Sequence, residues 1–286
     1  MNILEEIKLK VDSESPVTLR NFLTSQGISH RLLTKLKRLD GGITRNGEFI
    51  RSIDTVYSGD IITLKMQDSS FLEPNPDLYV PVVFENENAV IFDKPSGMPI
   101  HPSAKHRLDT LGNYFAYAFS GLTFRPVNRL DRDTSGLCVI AKNSHAANLL
   151  NGHCDKVYYA AVHGVTDDSG TIDAPISRQQ ESVITRCVNS NGRRAVTHYR
   201  KIAGNSEYSL EEIHLETGRT HQIRVHFSYI GHPLAGDDMY GGMMKHISRQ
   251  ALHCGEMTFT EPLTGEKITV TSPIPNDIMS LFSERI

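Results

Sequence analysis

The chain has 286 residues, of which 39% are hydrophobic and 22% charged, with a formal net charge of -3. Such a composition excludes a disordered or fibrous protein and leaves room for one large core plus a small accessory module. With no overall positive charge, any contact with nucleic acid has to use a local basic patch.

The N-terminus, MNILEEIKLKVDSES, lacks a basic stretch followed by an apolar run. No segment approaches the about 18 apolar residues of a membrane span, so a cytoplasmic protein without a membrane partner is expected. From Val17 to Lys65 the chain reads as a compact unit. Leu19, Phe22 and Leu23 fall at helical spacing and Gly27 closes that helix; Ser29 caps a second one, whose apolar stripe is Leu32, Leu33, Leu36 and Leu39. Arg31, Lys35 and Arg38 lie on another face. Gly41-Gly42 breaks the helix, and Ile43 to Asn46 and Asp60 to Leu64 read as short strands joined by turns. This unit holds eight Lys or Arg against four Asp or Glu. A row of cations on one helix face suits a phosphate backbone, and equally suits plain solvation.

Residues 66–82 carry Pro74, Pro76 and Pro81 among polar residues and read as a linker. The expected organisation is therefore a small basic module with an N-terminal extension at 1–65, the linker at 66–82, and a large domain at 83–286. In that domain Ala89 to Phe92 is a buried strand and Asp93 to Ser103 a turn-rich loop in which Lys94 suits either an RNA contact or a structural one. Thr110 to Phe119 has the stripe of a packed helix.

The chain then reaches VNRLDRDTSGLCVIAK, Val127 to Lys142. Leu137 to Ala141, after Gly136, is short and apolar and reads as a buried strand, whereas Asn128 to Ser135 reads as an exposed loop on a rigid scaffold. In it Arg129 and Arg132 alternate with Asp131 and Asp133. A guanidinium beside a carboxylate lowers its pKa by about 1 to 3, and an ionised Asp is a candidate nucleophile. The same residues also serve a salt-bridged, Asx-capped turn. Asp131, Asp133 and Thr134 further suggest the acidic motif of haloacid-dehalogenase-type phosphotransferases, but there the apolar strand precedes the first Asp and here it follows.

Beyond this loop, Ala146 to Leu150 reads as a helix after Asn143 and Ser144. Lys156 to Gly164 reads as a strand, and Gly170 to Arg178 and Gly192 to Arg200 as strands flanking a polar loop whose Arg178, Arg193 and Arg194 suit RNA. In Leu215 to Gly242 a strand ends at Gly218, Thr220 can cap a helix, and Ile223, Phe227 and Ile230 form its buried stripe up to Gly231. His221, Arg224 and Ser228 share the neighbouring face. A metal site at His214, His221 and His226 is disfavoured by spacings that do not gather three imidazoles on one face. The scattered Cys138, Cys154, Cys187 and Cys254 read as reduced core thiols. Late strands in Arg249 to Pro275 and a terminal helix in Asn276 to Arg285 complete the chain.

NRLDRDTSGL resembles the signature loop of the RluA-type RNA pseudouridine synthases, with Asn128 standing where that family usually has His. DKPSGMPIHPS is similar to the family's Lys-Pro loop. Lys156, Tyr158 and Ala160 match its Lys-x-Tyr-x-Ala strand, and LETGRTHQIRVHFSYIGHPLAGDDMYGG matches its arginine helix. SHRLLTKLKR, ITRNGEFI and VYSGDIITL resemble the small RNA-binding domain of the ribosomal S-four type. The resemblance implies an α+β chain: a small N-terminal α/β RNA-binding module followed by a catalytic domain of mixed, largely antiparallel sheet with flanking helices. It implies Asp131, Arg224 and Tyr158 as catalytic residues, with Arg224 as the ion-pair partner of Asp131. Arg129, Lys94 and Thr134 would contact substrate, and Arg31, Lys35, Lys37, Arg38 and Arg45 would contact RNA. The implied activity is isomerisation of specific uridines in structured RNA, ribosomal rather than transfer RNA, with base extrusion and without metal or cofactor. The alternative is a non-catalytic structured-RNA-binding protein, in which the basic module docks RNA and the large domain is a platform.

Overall fold

Burial on both faces decides the central strand. In Ser135–Ala141 every residue is buried: Leu137, Val139 and Ala141 enter one apolar cluster, Cys138 and Ile140 the other. The computed structural model describes residues 3–68, 72–179, 184–261 and 264–283. Around the central strand runs a nine-stranded sheet. Its order is Ser169–Asp173, Val196–Gly204, Tyr208–Leu215, Cys154–His163, Leu252–Thr260, Ser135–Ala141, Ala89–Lys94 and Val82–Glu85, with Lys267–Thr271 paired to Leu252–Thr260. All pairings are antiparallel except one, where Leu252–Thr260 lies parallel to Ser135–Ala141. The fold is therefore α+β with a mixed, largely antiparallel sheet, as expected.

Helices cover both faces. Leu111–Ala118, held by a Thr110–Asn113 capping box, packs Leu111 and Phe115 onto Phe92 and Ile140. Ser144–Leu150 and Gln222–Tyr229 cover the opposite face with Ala146, Leu150, Ile223 and Phe227. The expected linker is not a free tether. Residues 72–81 form no helix or strand, yet Val80 is wholly buried and the Asn113 side chain donates to the Glu73 carbonyl at 2.7 Å.

Residues 3–68 build a four-stranded sheet, in the order Ile3–Lys10, Ile61–Asp68, Ile43–Arg45, Glu48–Phe49, with helices Leu19–Ser25 and His30–Leu36. Leu19, Leu23, Leu33, Leu36, Ile62 and Leu64 close a core of their own. Two details differ from expectation. The N-terminal extension is a strand, signalled by Ile7, Leu9 and Val11 alternating with Glu6, Lys8 and Lys10. The second helix ends at Leu36, because Arg38 and Leu39 turn back onto the Lys35 and Leu36 carbonyls in a tighter spiral, so Arg38 leaves the helix face. The terminal helix is also shorter than expected, covering Asn276–Met279. Among the described residues no helix is long and apolar enough to cross a membrane.

The parallel join fixes one residue. Gly136 opposes Cys254, has a φ of 110°, and a Cβ there would stand 2.2 Å from the Cys254 carbonyl oxygen. Gly136→Ala is expected to lower stability by more than about 3 kcal/mol, combining a disfavoured φ with a backbone clash; urea unfolding of the purified variant measures it.

Candidate active site

The loop that carries Asp131 is held at its backbone, which leaves selected side chains free. The Asn128 amide extends the sheet by one rung, its Oδ1 accepting from the Val139 N–H at 2.8 Å and its Nδ2 donating to the Leu137 carbonyl at 3.1 Å. Leu130 points into the core beneath the loop. Thr134 closes a turn, donating its N–H to the Asp131 carbonyl at 3.1 Å, while its Oγ1 accepts from Gln250 Nε2.

Lys94 anchors the same loop from below. It is 0% exposed, and its Nζ donates to the carbonyls of Pro95, Met98 and Arg132 at 2.7, 2.9 and 3.0 Å. Burial pushes its pKa down to about 8, while the three carbonyls match the three N–H donors of the charged form. Arg249 does the corresponding work further along, donating to the Asp133, Gln250 and Leu252 carbonyls while paired with Asp277. Lys94 and Thr134, expected among the substrate contacts, act in this structure as supports of the loop. Both are buried, and their polar groups are already bonded within the protein.

The cation that meets Asp131 comes from far along the chain. Arg132 pairs with Asp133, so the local alternation of charges does not supply it. Arg224 does: Nη1 donates to Asp131 Oδ2 at 3.0 Å, while Nε and Nη2 grip Asp237 at 2.7 and 2.8 Å. Side-chain exposure is 6% for Arg224, 0% for Asp237 and 29% for Asp131, so one end of this chain of charges is sealed and the other is open. Burial opposes the charge on Arg224, but Asp237 and then Asp131 outweigh it and hold its pKa above the ordinary value. The guanidinium also lies over the Tyr240 ring, 4.9 Å from its centroid.

The Arg224 helix does not begin as the sequence suggests. Thr220 is not its cap; His221 is, in a left-handed conformation and without a capping hydrogen bond. Gln222 secures this end instead, its Oε1 accepting the Arg219 N–H at 3.0 Å and the Thr217 hydroxyl at 2.9 Å. His221, Arg224 and Ser228 all face the turn at 237–240, contacting the Tyr240 hydroxyl, Asp237 and the Tyr240 carbonyl respectively.

A cleft of about 1450 Å³ opens over Asp131, lined among others by Arg129, Tyr158, His198, His214, Thr217 and His221. Arg129 stands exposed on its lip, with no ion-pair or hydrogen-bond partner among the described residues. Tyr158 is 7% exposed at a register shift in its strand. Burial, aided by Cys254 and Asp131, raises its pKa well above the usual phenol value and keeps it protonated. The remaining candidates lie outside the cleft. Lys35, Lys37 and Arg38 are exposed around the end of the second helix, Arg45 donates to the Thr55 carbonyl at 3.1 Å, and the Arg31 side chain lies outside the described ones. Among the described residues no group of three or more His, Cys, Asp or Glu could hold a metal ion.

Sequence reasoning missed Asp237 and Tyr240 and saw His221 only as a helix-face or metal residue. The available signal was the acidic, aromatic run GDDMYGG immediately after an apolar one, although no periodicity ties it to a loop about a hundred residues earlier.

Comparison with known proteins adds to this geometry. Residues 88–229 match the family described as RNA pseudouridylate synthase. An uncharacterized RNA pseudouridine synthase of Bacillus subtilis, YjbO, is 37% identical over 281 residues, spanning 93% of this chain and 98% of that protein. The ribosomal large subunit pseudouridine synthase D of Pseudomonas aeruginosa is 37% identical over 268 residues, with 85% of this chain and 84% of that protein covered. Among solved structures, the human RNA pseudouridylate synthase domain containing 1 superposes with a TM-score of 0.58 at 27% identity, covering 71% of this chain and 86% of that one.

Lys94→Met is expected to lower unfolding free energy by about 2–4 kcal/mol, since it removes the shared partner of three carbonyls, that of Met98 in a buried bond. Arg129→Ala, which removes an exposed side chain, should change stability by less than about 0.5 kcal/mol. Denaturant titration of the two variants side by side checks both.

Proposed function

The chain belongs to the RluA family of RNA pseudouridine synthases, and from that premise we propose that it isomerises uridines of large-subunit ribosomal RNA, with Asp131 as the carboxylate acting at the reacting nucleoside. The observation that carries the reading is the Arg224 clamp, which holds Asp131 Oδ2 from a sealed side and leaves the carboxylate at the floor of a polar cleft. A merely RNA-binding platform has no use for such a clamp. A charged pair at this depth is expensive to desolvate, and its open end faces the place where a nucleoside would enter.

The reaction breaks the bond between uracil N1 and ribose C1′ and forms one between C5 and C1′. A proton leaves C5 and one arrives at N1, so no redox partner is needed. Asp131 is suited to take part as nucleophile or base, and Arg224 to balance its charge throughout. Tyr158 offers a neutral ring against which the freed uracil can turn. Arg129, without a partner and on the lip, suits the space left by the extruded nucleotide. Extrusion costs a few kcal/mol, which contacts with the RNA backbone have to offset.

Those contacts we assign to residues 1–65, read as an RNA-binding module of the ribosomal S-four type, joined through 66–82 to the catalytic domain at 83–286. The separate core of the first region and the exposed Lys35, Lys37 and Arg38 support the assignment. Ribosomal rather than transfer RNA is preferred because several relatives, including that of Pseudomonas aeruginosa, carry the ribosomal large subunit in their names. A cytoplasmic site of action follows from that substrate.

Site-resolved pseudouridine mapping of total RNA, in cells with and without the gene, tests the activity and identifies the target. Loss of a few ribosomal sites is expected, restored by wild type and not by Asp131→Asn; restoration by the mutant would sink the role of Asp131. Reversing Lys35, Lys37 and Arg38 to Glu together should weaken binding of ribosomal RNA by at least about 10-fold at ~0.1 M salt, with melting temperature unchanged. Filter binding at several salt concentrations measures it.

A further inference from the structure

His221 has a backbone conformation uncommon for a residue with a side chain. Among the described residues, the non-glycine positions with positive φ are Asn46, at 52°, and His221, at 58°. Asn46 precedes Gly47 in a hairpin turn between Ile43–Arg45 and Glu48–Phe49, where that conformation is the one the turn requires. His221 has no such excuse. It stands at the start of the Arg224 helix, makes no side-chain capping bond there, and carries its ring into a region that glycine occupies more easily. The capping work is done by Gln222, whose amide also donates to the Val196 carbonyl and to Thr197 Oγ1.

The ring it holds is oriented from both sides. The Tyr240 hydroxyl accepts the Arg186 backbone N–H at 2.9 Å and lies 2.7 Å from His221 Nδ1, to which its own proton is free to point. In the tautomer that accepts that proton the ring proton sits on Nε2, which lies 3.7 Å from Asp131 Oδ2. Oδ2 is also the oxygen bound by Arg224, whereas Oδ1 has no hydrogen-bond partner among the described residues. The charged and titratable groups around the ring are Asp131, Arg224, Arg186, Asp237 and Tyr240; burial first, then Arg224 and Arg186 against Asp131 and Asp237, keep the imidazole below its ordinary pKa.

We propose that His221 is a positioning residue for Asp131: its Nε2–H, fixed through Nδ1 by the Tyr240 hydroxyl, joins Arg224 on Oδ2 and so presents Oδ1 to the nucleoside. The present 3.7 Å separation shortens to a hydrogen bond when substrate fills the cleft and excludes water from the pair. The inference rests on the reading of Asp131 as the reacting carboxylate. It adds a second, neutral donor whose task is geometric, beside the charged one whose task is electrostatic. The strained backbone follows from that task, since the ring has to leave the helix surface to meet both Tyr240 and Asp131.

The test uses the full-length protein and ribosomal RNA extracted from cells lacking the gene, with pseudouridine formation followed under single-turnover conditions. His221→Gly should melt no lower than wild type, because glycine accepts the positive φ. Its maximal rate should fall on the order of 30- to 100-fold, with the enzyme concentration at half-maximal rate changed by less than about 2-fold. His221→Asn, which tolerates the same backbone and offers an amide N–H, should recover at least about 3-fold of that loss. Asp131→Asn is run beside them and should be inactive. A His221→Gly protein within about 2-fold of wild type, while Asp131→Asn is dead, would overturn the positioning role and leave the Asp131 reading intact. A melting temperature well below wild type for His221→Gly, an effect confined to half-saturation, or an Asn variant no faster than Gly would each overturn it too. Activity in Asp131→Asn would remove both readings together.

Discussion

A guanidinium in the interior has to be answered by carboxylates, and the site is built on that requirement. Arg224 is held by Asp237 on one side, where no solvent reaches, and by Asp131 on the other, where it does. Leaving such a charge unpaired costs about 3–5 kcal/mol, so the helix, the 237–240 turn and the Asp131 loop are constrained to one arrangement. The outcome is a carboxylate with a fixed oxygen and a free one, at the bottom of a cleft. With Asp131 in its proposed role, positioning of this kind serves chemistry in which the base departs, turns and returns, because the reacting group must not move while the substrate does.

The loop that carries Asp131 shows the same economy of means. Its backbone is clamped by three different side chains, Lys94 at the Arg132 carbonyl, Arg249 at the Asp133 carbonyl and Asn128 along the strand. With the backbone fixed in this way, Arg129 can stay exposed and unpaired without loosening Asp131. The substitution of Asn for the usual His at 128 is accommodated because an amide supplies both a donor and an acceptor to the rung it completes. The parallel contact at Gly136 then sets how near the loop comes to the strand that holds Cys254, beside Tyr158.

An overall negative chain that acts on RNA has to separate its charges. Lys35, Lys37 and Arg38 are exposed on the N-terminal region, while two buried or half-buried cations of the large domain are neutralised within it, Arg224 by two aspartates and Arg249 by Asp277. If the N-terminal region docks RNA as proposed, docking depends on shape and phosphate while the cleft is tuned for one nucleoside.

The sequence by itself determined most of the elements of the large domain and their order, though not the N-terminal strand. A short apolar run announced Ser135–Ala141 and a helical stripe Leu111–Ala118, Asn143 and Ser29 announced their helices, and the spacing of Ile223 and Phe227 marked the face of the Arg224 helix that enters the main core. These are local signals, set by side-chain period and by capping chemistry within a few residues. It also singled out Asp131, Arg224 and Tyr158, through motifs that resemble a family. One meeting between distant residues, Arg224 with Asp131, was implied by the same resemblance and is found; the others were not determined. The local alternation of Arg129, Asp131, Arg132 and Asp133 suggested partners that the fold does not use, since Arg132 turns to Asp133 and Asp131 waits for Arg224. Nothing in the sequence neighbours of Lys94 and Thr134 reveals that three carbonyls and a glutamine meet their side chains, so Lys94 was open between an RNA contact and a structural one. Asp237, Tyr240 and the strained His221 were hidden for the same reason: which groups share a buried charge is decided by tertiary packing, and a linear pattern carries no record of it.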